Sequence, residues 1–378
     1  MKKILLLICL MFTLCSCGKE SKEDVLKDFV NNVNSIKSYK LTGNMEISND
    51  EETFTYSLES SYLKDNLYKV VLVNQTNNHE QIILKNKEEI YVITPALNKS
   101  FKFQSEWPEN SSQAYLLGNL VSDIKNDKKV EITESEKGYI IKSSVNYPNN
   151  EDLKYQKIYL NNDKYVEKVE VFNNNDIIKI KVEFDKVDLK ASLSEKDFKL
   201  DNYIKDNEKE DNSKEDVDNN KNLESDKEIE NNNCDSNSES ECQQNNDPDN
   251  NLNNETDSEE TANIENIIYP LYIPSNTYLT NSETIETNNG NRVILTFGGD
   301  KNFVLIEEAT IKSEEMEIVP VYGEPLMLTE VIGALSANSL SWDVNNISYY
   351  LASTELTVNE MQTIANSLGN TTLVNSQK

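Results

Sequence analysis

Apolar side chains recur at helical spacing from Val25 through Phe29 and Val33 to Ile36, with Leu26 and Val30 alongside, so the pattern predicts a helix with one apolar stripe. Ser21 is placed to cap it, and Glu23 and Asp24 sit where the positive end of the helix dipole favours acid. After Ser38 the period drops to two. Alternation predicts strands at 39–48, 53–63, 67–75, 80–85, 89–94 and 99–104, joined by short Asn-rich loops of the kind antiparallel hairpins use. A second helical stretch spans 111–126, with Tyr115, Leu116, Leu120 and Ile124 on one face. Alternation resumes at 128–134, 138–146, 153–160, 164–172 and 176–187, punctuated by turns such as NND at 161–163 and NNND at 173–176. The sum is eleven antiparallel strands and two amphipathic helices. A sheet that long curls, its inner face needs a cover, and the two helices can supply it.

The last part of the chain, 265–378, reads as a small α+β domain. YPLYIPSNTYL (269–279) carries prolines on both flanks, as a loop leading into a domain does. Arg292 to Phe297 and Asn302 to Ile306 alternate as strands joined by Gly298-Gly299-Asp300-Lys301. That glycine pair precedes no helix, so it predicts a hairpin turn and not a phosphate loop. LSWDVNNISYYLAS (340–353) is a second hairpin, turning at Asn345-Asn346. Thr357-Val358-Asn359-Glu360 is a capping box opening a helix with Met361, Ile364, Ala365 and Leu368 inward, and Gly369 marks its stop.

Composition changes the picture between these two parts. The 378 residues carry a net charge of −29, and the segment 205–264 holds 20 Asp and Glu against 5 Lys with no aromatic residue. Such a segment cannot bury enough apolar surface to offset its ordering entropy, so it predicts a disordered, self-repelling spacer. Its acidic runs lack the glycine and terminal glutamate of a calcium-binding loop. With Arg292 the only arginine, no basic stripe exists for nucleic acid. The single histidine, His79, excludes multi-histidine metal sites.

The first residues follow another logic. Lys2 and Lys3 precede an apolar run from Ile4 to Leu14, too short to span a bilayer, which needs about 20 residues. Leu14-Cys15-Ser16-Cys17 then resembles the lipobox of bacterial lipoproteins. That resemblance implies a signal peptide over 1–16 and a diacylglycerol on Cys17, which becomes the first residue of a chain anchored to the outer face of the membrane. Two acyl chains hold a protein to a membrane where one does so only marginally. No other cofactor and no metal is expected. An exported location also permits a disulfide between Cys234 and Cys242, although both fall in the spacer.

Within 17–204, an N-terminal helix, Gly43 in the first strand, IYVITPALNKSFKF (90–103), a middle helix and the closing VEFDKVDLKASLSEKDFKL (182–200) together resemble the lipoprotein-carrier superfamily of LolA, LolB and RseB. The resemblance implies an unclosed antiparallel β-barrel covered by two helices, which binds acyl chains in carriers and a protein partner in RseB-like members. An anchored, AT-rich chain of this kind is similar to sporulation and germination lipoproteins of endospore-forming Firmicutes. Trp342 to Leu368 resembles the C-terminal domain found on sporulation and anti-sigma-type lipoproteins of that group.

Catalytic chemistry finds little support. His79 beside Glu80 is accompanied by no Gly-x-Ser-x-Gly elbow and no free catalytic cysteine, and reads as a surface turn histidine. The adjacent glutamate pairs point to opposite faces of strands. The expectation is therefore a non-catalytic, anchored envelope protein acting in sporulation or germination through a protein partner. Two alternatives stay open: an acyl-chain chaperone with Val25, Phe29, Val33, Leu116 and Leu120 lining its cavity, and an RseB-like regulator of a transmembrane signalling protein.

Overall fold

The computed structural model describes residues 21–49, 52–87, 89–109, 111–204, 263–287 and 290–368. Cys17, Cys234, Cys242, Gly369, the signal stretch and residues 205–262 of the acidic segment lie outside the described residues.

Helix α1 (Lys22–Ser35) opens the chain, and the Ser21 side chain accepts the Asp24 amide as its cap. Six strands follow as a meander: β1 (Ser38–Ser48), β2 (Thr53–Leu63), β3 (Leu67–Asn74), β4 (Glu80–Lys85), β5 (Ile90–Thr94) and β6 (Lys99–Phe103). After helix α2 (Leu117–Asn126) come β7 (Glu131–Ser135), β8 (Gly138–Ser144), β9 (Leu153–Asn161), β10 (Val166–Asn173) and β11 (Ile178–Asp188). The eleven strands and two helices are those the alternation predicts.

β1 lies in the middle, between β2 and β11, and the meanders run outward to β6 on one side and β7 on the other. β7 does not return to the opposite edge, so the barrel is unclosed. The two helices pack on the concave face, where Phe29, Leu117, Leu120, Val121 and Ile124 join Leu41, Met45, Val169 and Val182 in one core. β1 is bulged against β11 between Thr42 and Gly43, and a Cβ on Gly43 would stand 1.9 Å from the Glu183 carbonyl oxygen. Only glycine allows that approach.

Strand ends shift from the alternation limits for a local reason. The Asn161 carboxamide accepts the Asp163 and Tyr165 amides, and Asn173 accepts those of Asn175 and Ile177, so β10 and β11 each begin two residues late. Helix α2 likewise starts at Leu117 and not at 111. Ser112 is held by Asp123 and Asn146, and the Asn119 amide bonds the Pro108 and Ser111 carbonyls, which fixes 111–116 in a non-helical path. β4 and β5 are buried on both faces because the chain after β11 covers the convex side, with Phe198 packed among Leu67, Ile82, Leu84, Tyr91 and Ile93.

The C-terminal part builds a seven-stranded antiparallel sheet. Its strands are β12 (Thr277–Thr287), β13 (Gly290–Gly299), β14 (Phe303–Ala309), β16 (Gly323–Met327), β17 (Ile332–Ser336), β18 (Ser339–Val344) and β19 (Ile347–Ala352), in the order β12-β13-β14-β19-β18-β17-β16. The Asn345-Asn346 turn joins β18 to β19 with both residues at positive φ, 53° and 60°, as a tight hairpin demands. Helix α3 (Val358–Asn366) starts at the Thr357–Glu360 capping box and packs Met361 and Ile364 against Val293, Leu295, Phe297 and Leu351.

β15 (Glu317–Val321) leaves this sheet and pairs parallel to β6, as the twelfth strand of the first sheet. The sequence reading names neither β15 nor β16, nor β12 and β17; β15 and β16 each hold a proline, Pro320 and Pro325. Both are edge strands, where a missing N–H is tolerated.

Candidate functional site

The two sheets meet at a joint built from buried polar pairs. Gln81, on β4, uses its side-chain amide as a strand would: Nε2 donates to the Ile332 carbonyl at 3.2 Å, and Oε1 accepts the Ile332 N–H at 2.5 Å. The Tyr56 hydroxyl donates to the Thr329 carbonyl. Lys99, the first residue of β6, donates to Asp343 at 2.8 Å and Ser348 at 3.2 Å, and both partners of the ion pair are withdrawn from water. Ile332 and Ala334 belong to the core of the first sheet, so the joint is packed as well as hydrogen-bonded.

Beside this joint an open cleft of about 800 Å3 separates the two parts. Its half-barrel wall includes Ile47, Ile83, Trp107, Tyr115, Leu153 and Ile180, and the facing wall is the 326–332 stretch with the polar side of α3. That stretch is held in place. The Asn366 side chain accepts the Thr329 amide at 3.0 Å, and Gln362 donates to the Met327 carbonyl at 2.8 Å. Asn149, Asn150, Asn359 and Thr363 make the rim polar, and Asp152, Lys179 and Glu324 are the charged side chains that line it. Leu271, 68% exposed, and Tyr272 stand at the edge. An apolar floor with a polar, sparsely charged rim suits side chains or an apolar ligand, and does not suit a polyanion.

The space under the two helices is different. Val25, Phe29, Leu116 and Leu120 are buried and Val33 is half-buried, all packed as core. The crevice beside Phe29, Val33 and Leu117 measures about 20 Å3, whereas a ligand site needs several hundred.

Three titratable groups near these features are perturbed. Burial pushes Asp123, on α2, up to about 6, against the opposing bonds it accepts from Ser112 at 2.8 Å and Gln156 at 2.9 Å. Burial lowers His79, an effect the charge of Asp343 opposes. The sequence places this histidine on an exposed turn; it is half-buried, and its Nε2 has no partner among the described residues. Glu307, fully buried in the second core, is pushed up to about 7 by burial. Among the described residues, no group of three or more His, Cys, Asp or Glu is placed to hold a metal ion, and no helix is long and apolar enough to cross a membrane. Nothing in the sequence marks the cleft, because Gln81 and Ile332 stand 251 residues apart.

Comparison with known proteins places the chain. Residues 1–198 match the family described as sporulation protein YdcC-like. The sporulation protein YdcC of Bacillus subtilis (strain 168) is 32% identical over 356 residues, which cover 94% of this chain and 92% of that protein. The chain belongs to the YdcC-like sporulation protein family. The family match ends at Phe198, the last residue of the short 3-10 helix Glu195–Phe198 that follows β11, while the likeness to the Bacillus protein extends over the second sheet as well. Among solved structures, the Pseudomonas aeruginosa MucA/MucB complex holds a similar chain at 9% identity, with 90% of this chain and 97% of that one covered and a TM-score of 0.31. A LolA superfamily protein from Nitrosomonas europaea is 9% identical over 49% of this chain and all of its own, with a TM-score of 0.29. A chain in the complex of the CwlD amidase from Clostridioides difficile with the GerS lipoprotein is 18% identical, covering 44% of this chain and 95% of that one, with a TM-score of 0.27.

Proposed function

We propose that this YdcC-like chain is a non-catalytic lipoprotein of the cell envelope that acts in sporulation by holding a protein partner in the cleft between its two sheets. Family membership supports the sporulation role. The observation that carries the mode of action is the contrast in free space: about 800 Å3 in the junction cleft against about 20 Å3 under the helices. A carrier that stores acyl chains under its helices would need the second space to be large. A protein segment entering the first would set apolar side chains on Ile83, Tyr115 and Leu326 while its backbone meets the Asn and Thr side chains of the rim.

In this reading Cys17 carries the diacylglycerol that ties the chain to the outer face of the membrane. Cys17→Ala is expected to move the protein from the membrane pellet to the soluble fraction, and fractionation of sporulating cells followed by immunoblotting checks it. A strain lacking the chain is expected to give fewer heat-resistant or germination-competent spores. Normal spore numbers and normal germination would remove the sporulation role.

A further inference from the structure

The second sheet turns one face to α3 and its core; on the opposite face Lys99 of the first sheet covers Asp343 and Ser348, and the end of the face beyond them stays open. Across that open face the register lines up Thr296, Val304, Ala352 and Ser339 on four neighbouring strands. These short side chains floor a trough of about 780 Å3. Four strands spaced about 4.8 Å apart make that floor roughly 15 Å long, the span of an oligomer and not of a single small molecule.

The lining has a consistent chemistry. Charged residues make up 27% of the chain, yet none of the described residues lining this trough is charged. Tyr322 is 80% exposed and Tyr350 is 42% exposed, and both border it. The side chains of Thr296, Asn338, Ser339 and the two tyrosines have no hydrogen-bond partner among the described residues. The trough therefore offers aromatic faces, unpaired hydroxyls and an unpaired carboxamide, with no fixed charge to attract an ion. The cleft between the sheets shares none of these residues, so this feature stands apart from the partner site.

We infer that this trough binds a neutral glycan, an extended chain of sugars bearing hydroxyl and acetamido groups. Such a chain presents the C–H faces of its rings to tyrosine and its equatorial polar groups to Thr, Ser and Asn side chains. An acyl chain would leave those hydroxyls and the carboxamide desolvated and unpaired. A phosphate-bearing or carboxylate-rich polymer would find no cation to pair with.

The test is titration calorimetry of the full chain with a linear hexamer of N-acetylglucosamine. Saturable binding at millimolar or lower concentration is expected, with little change on adding salt, since no ion pair forms. Tyr322→Ala and Tyr350→Ala should each weaken it about tenfold or more, while thermal melting stays at the wild-type value because both rings are exposed. Hydrogen exchange gives an independent readout, with slowed exchange expected over 292–297 and 347–352 when the hexamer is present. Absence of binding at millimolar hexamer would overturn the inference, as would equal affinity in both tyrosine variants. Preferential binding of a proline-rich peptide would also overturn it and make the trough a peptide groove.

Discussion

Gly43→Val is expected to be the most damaging single substitution in the first sheet, with a loss of about 3–5 kcal/mol and a melting temperature lower by roughly 10 °C. The reason is geometric. β1 is the strand from which both meanders extend, and it is bulged against β11 at this residue. A Cβ would lie 1.9 Å from the Glu183 oxygen and 2.9 Å from the Phe184 Cα, both backbone atoms that cannot rotate away. The β1–β11 ladder would have to open, and with it the seat of Leu41 and Val182 in the core. Gly118→Ala is the matched control of opposite sign. Gly118 lies in helix α2, and a Cβ there meets nothing nearer than the Tyr68 hydroxyl at 3.9 Å. It should stabilise by about 0.5–1 kcal/mol through helix propensity alone. Urea denaturation of the two variants beside the wild type checks both signs.

The second large effect concerns pH. Glu307 is fully buried among apolar residues; among the described residues it receives one hydrogen bond, from the Ile268 amide at 3.1 Å, and its Oε1 has no partner. Burial pushes its carboxyl up to about 7, while the unfolded chain titrates near 4.3. Between these values the folded state retains a proton that the unfolded state releases, so stability falls as pH rises through this window and stays low above it. Glu307→Gln removes the charge and keeps an acceptor for Ile268. It should therefore stabilise the protein by about 2 kcal/mol more near pH 8 than near pH 5. Asp123, raised to about 6 by burial, adds a change of the same sign at lower pH. It is present in both proteins and cancels in the comparison. Equal stabilisation at the two pH values would mean that Glu307 ionises as an exposed glutamate does.

Local chemistry was legible wherever a few adjacent residues decide the outcome. Asn345-Asn346 specifies its turn because two consecutive positive φ angles favour asparagine, and Thr357 with Glu360 specifies a helix start by pairing two otherwise unbonded amides. The alternation from Tyr39 to Val187 places eleven strands because each has one face toward the core. Legibility fails where partners are remote. The prolines of β15 and β16 argue against strands until edge positions excuse them, and nothing near Glu317 announces Lys99 as its parallel neighbour. The cleft depends on Gln81 finding Ile332 and on Tyr56 finding Thr329. Val25, Phe29, Val33, Leu116 and Leu120 were readable as an apolar stripe, but a stripe looks the same over a filled core as over a cavity, and only packing separates the two.

The central claim is that the partner enters the cleft between the two sheets. The most direct measurement is photo-cross-linking in sporulating cells that carry a photoreactive phenylalanine at Leu271 or Thr363, which line the cleft, or at Val33 of α1, which lines the small crevice under the helices. The expected result is one discrete protein adduct of the same mass from both cleft positions and none from Val33. A lipid adduct from Val33, with no protein adduct from either cleft position, would contradict the account.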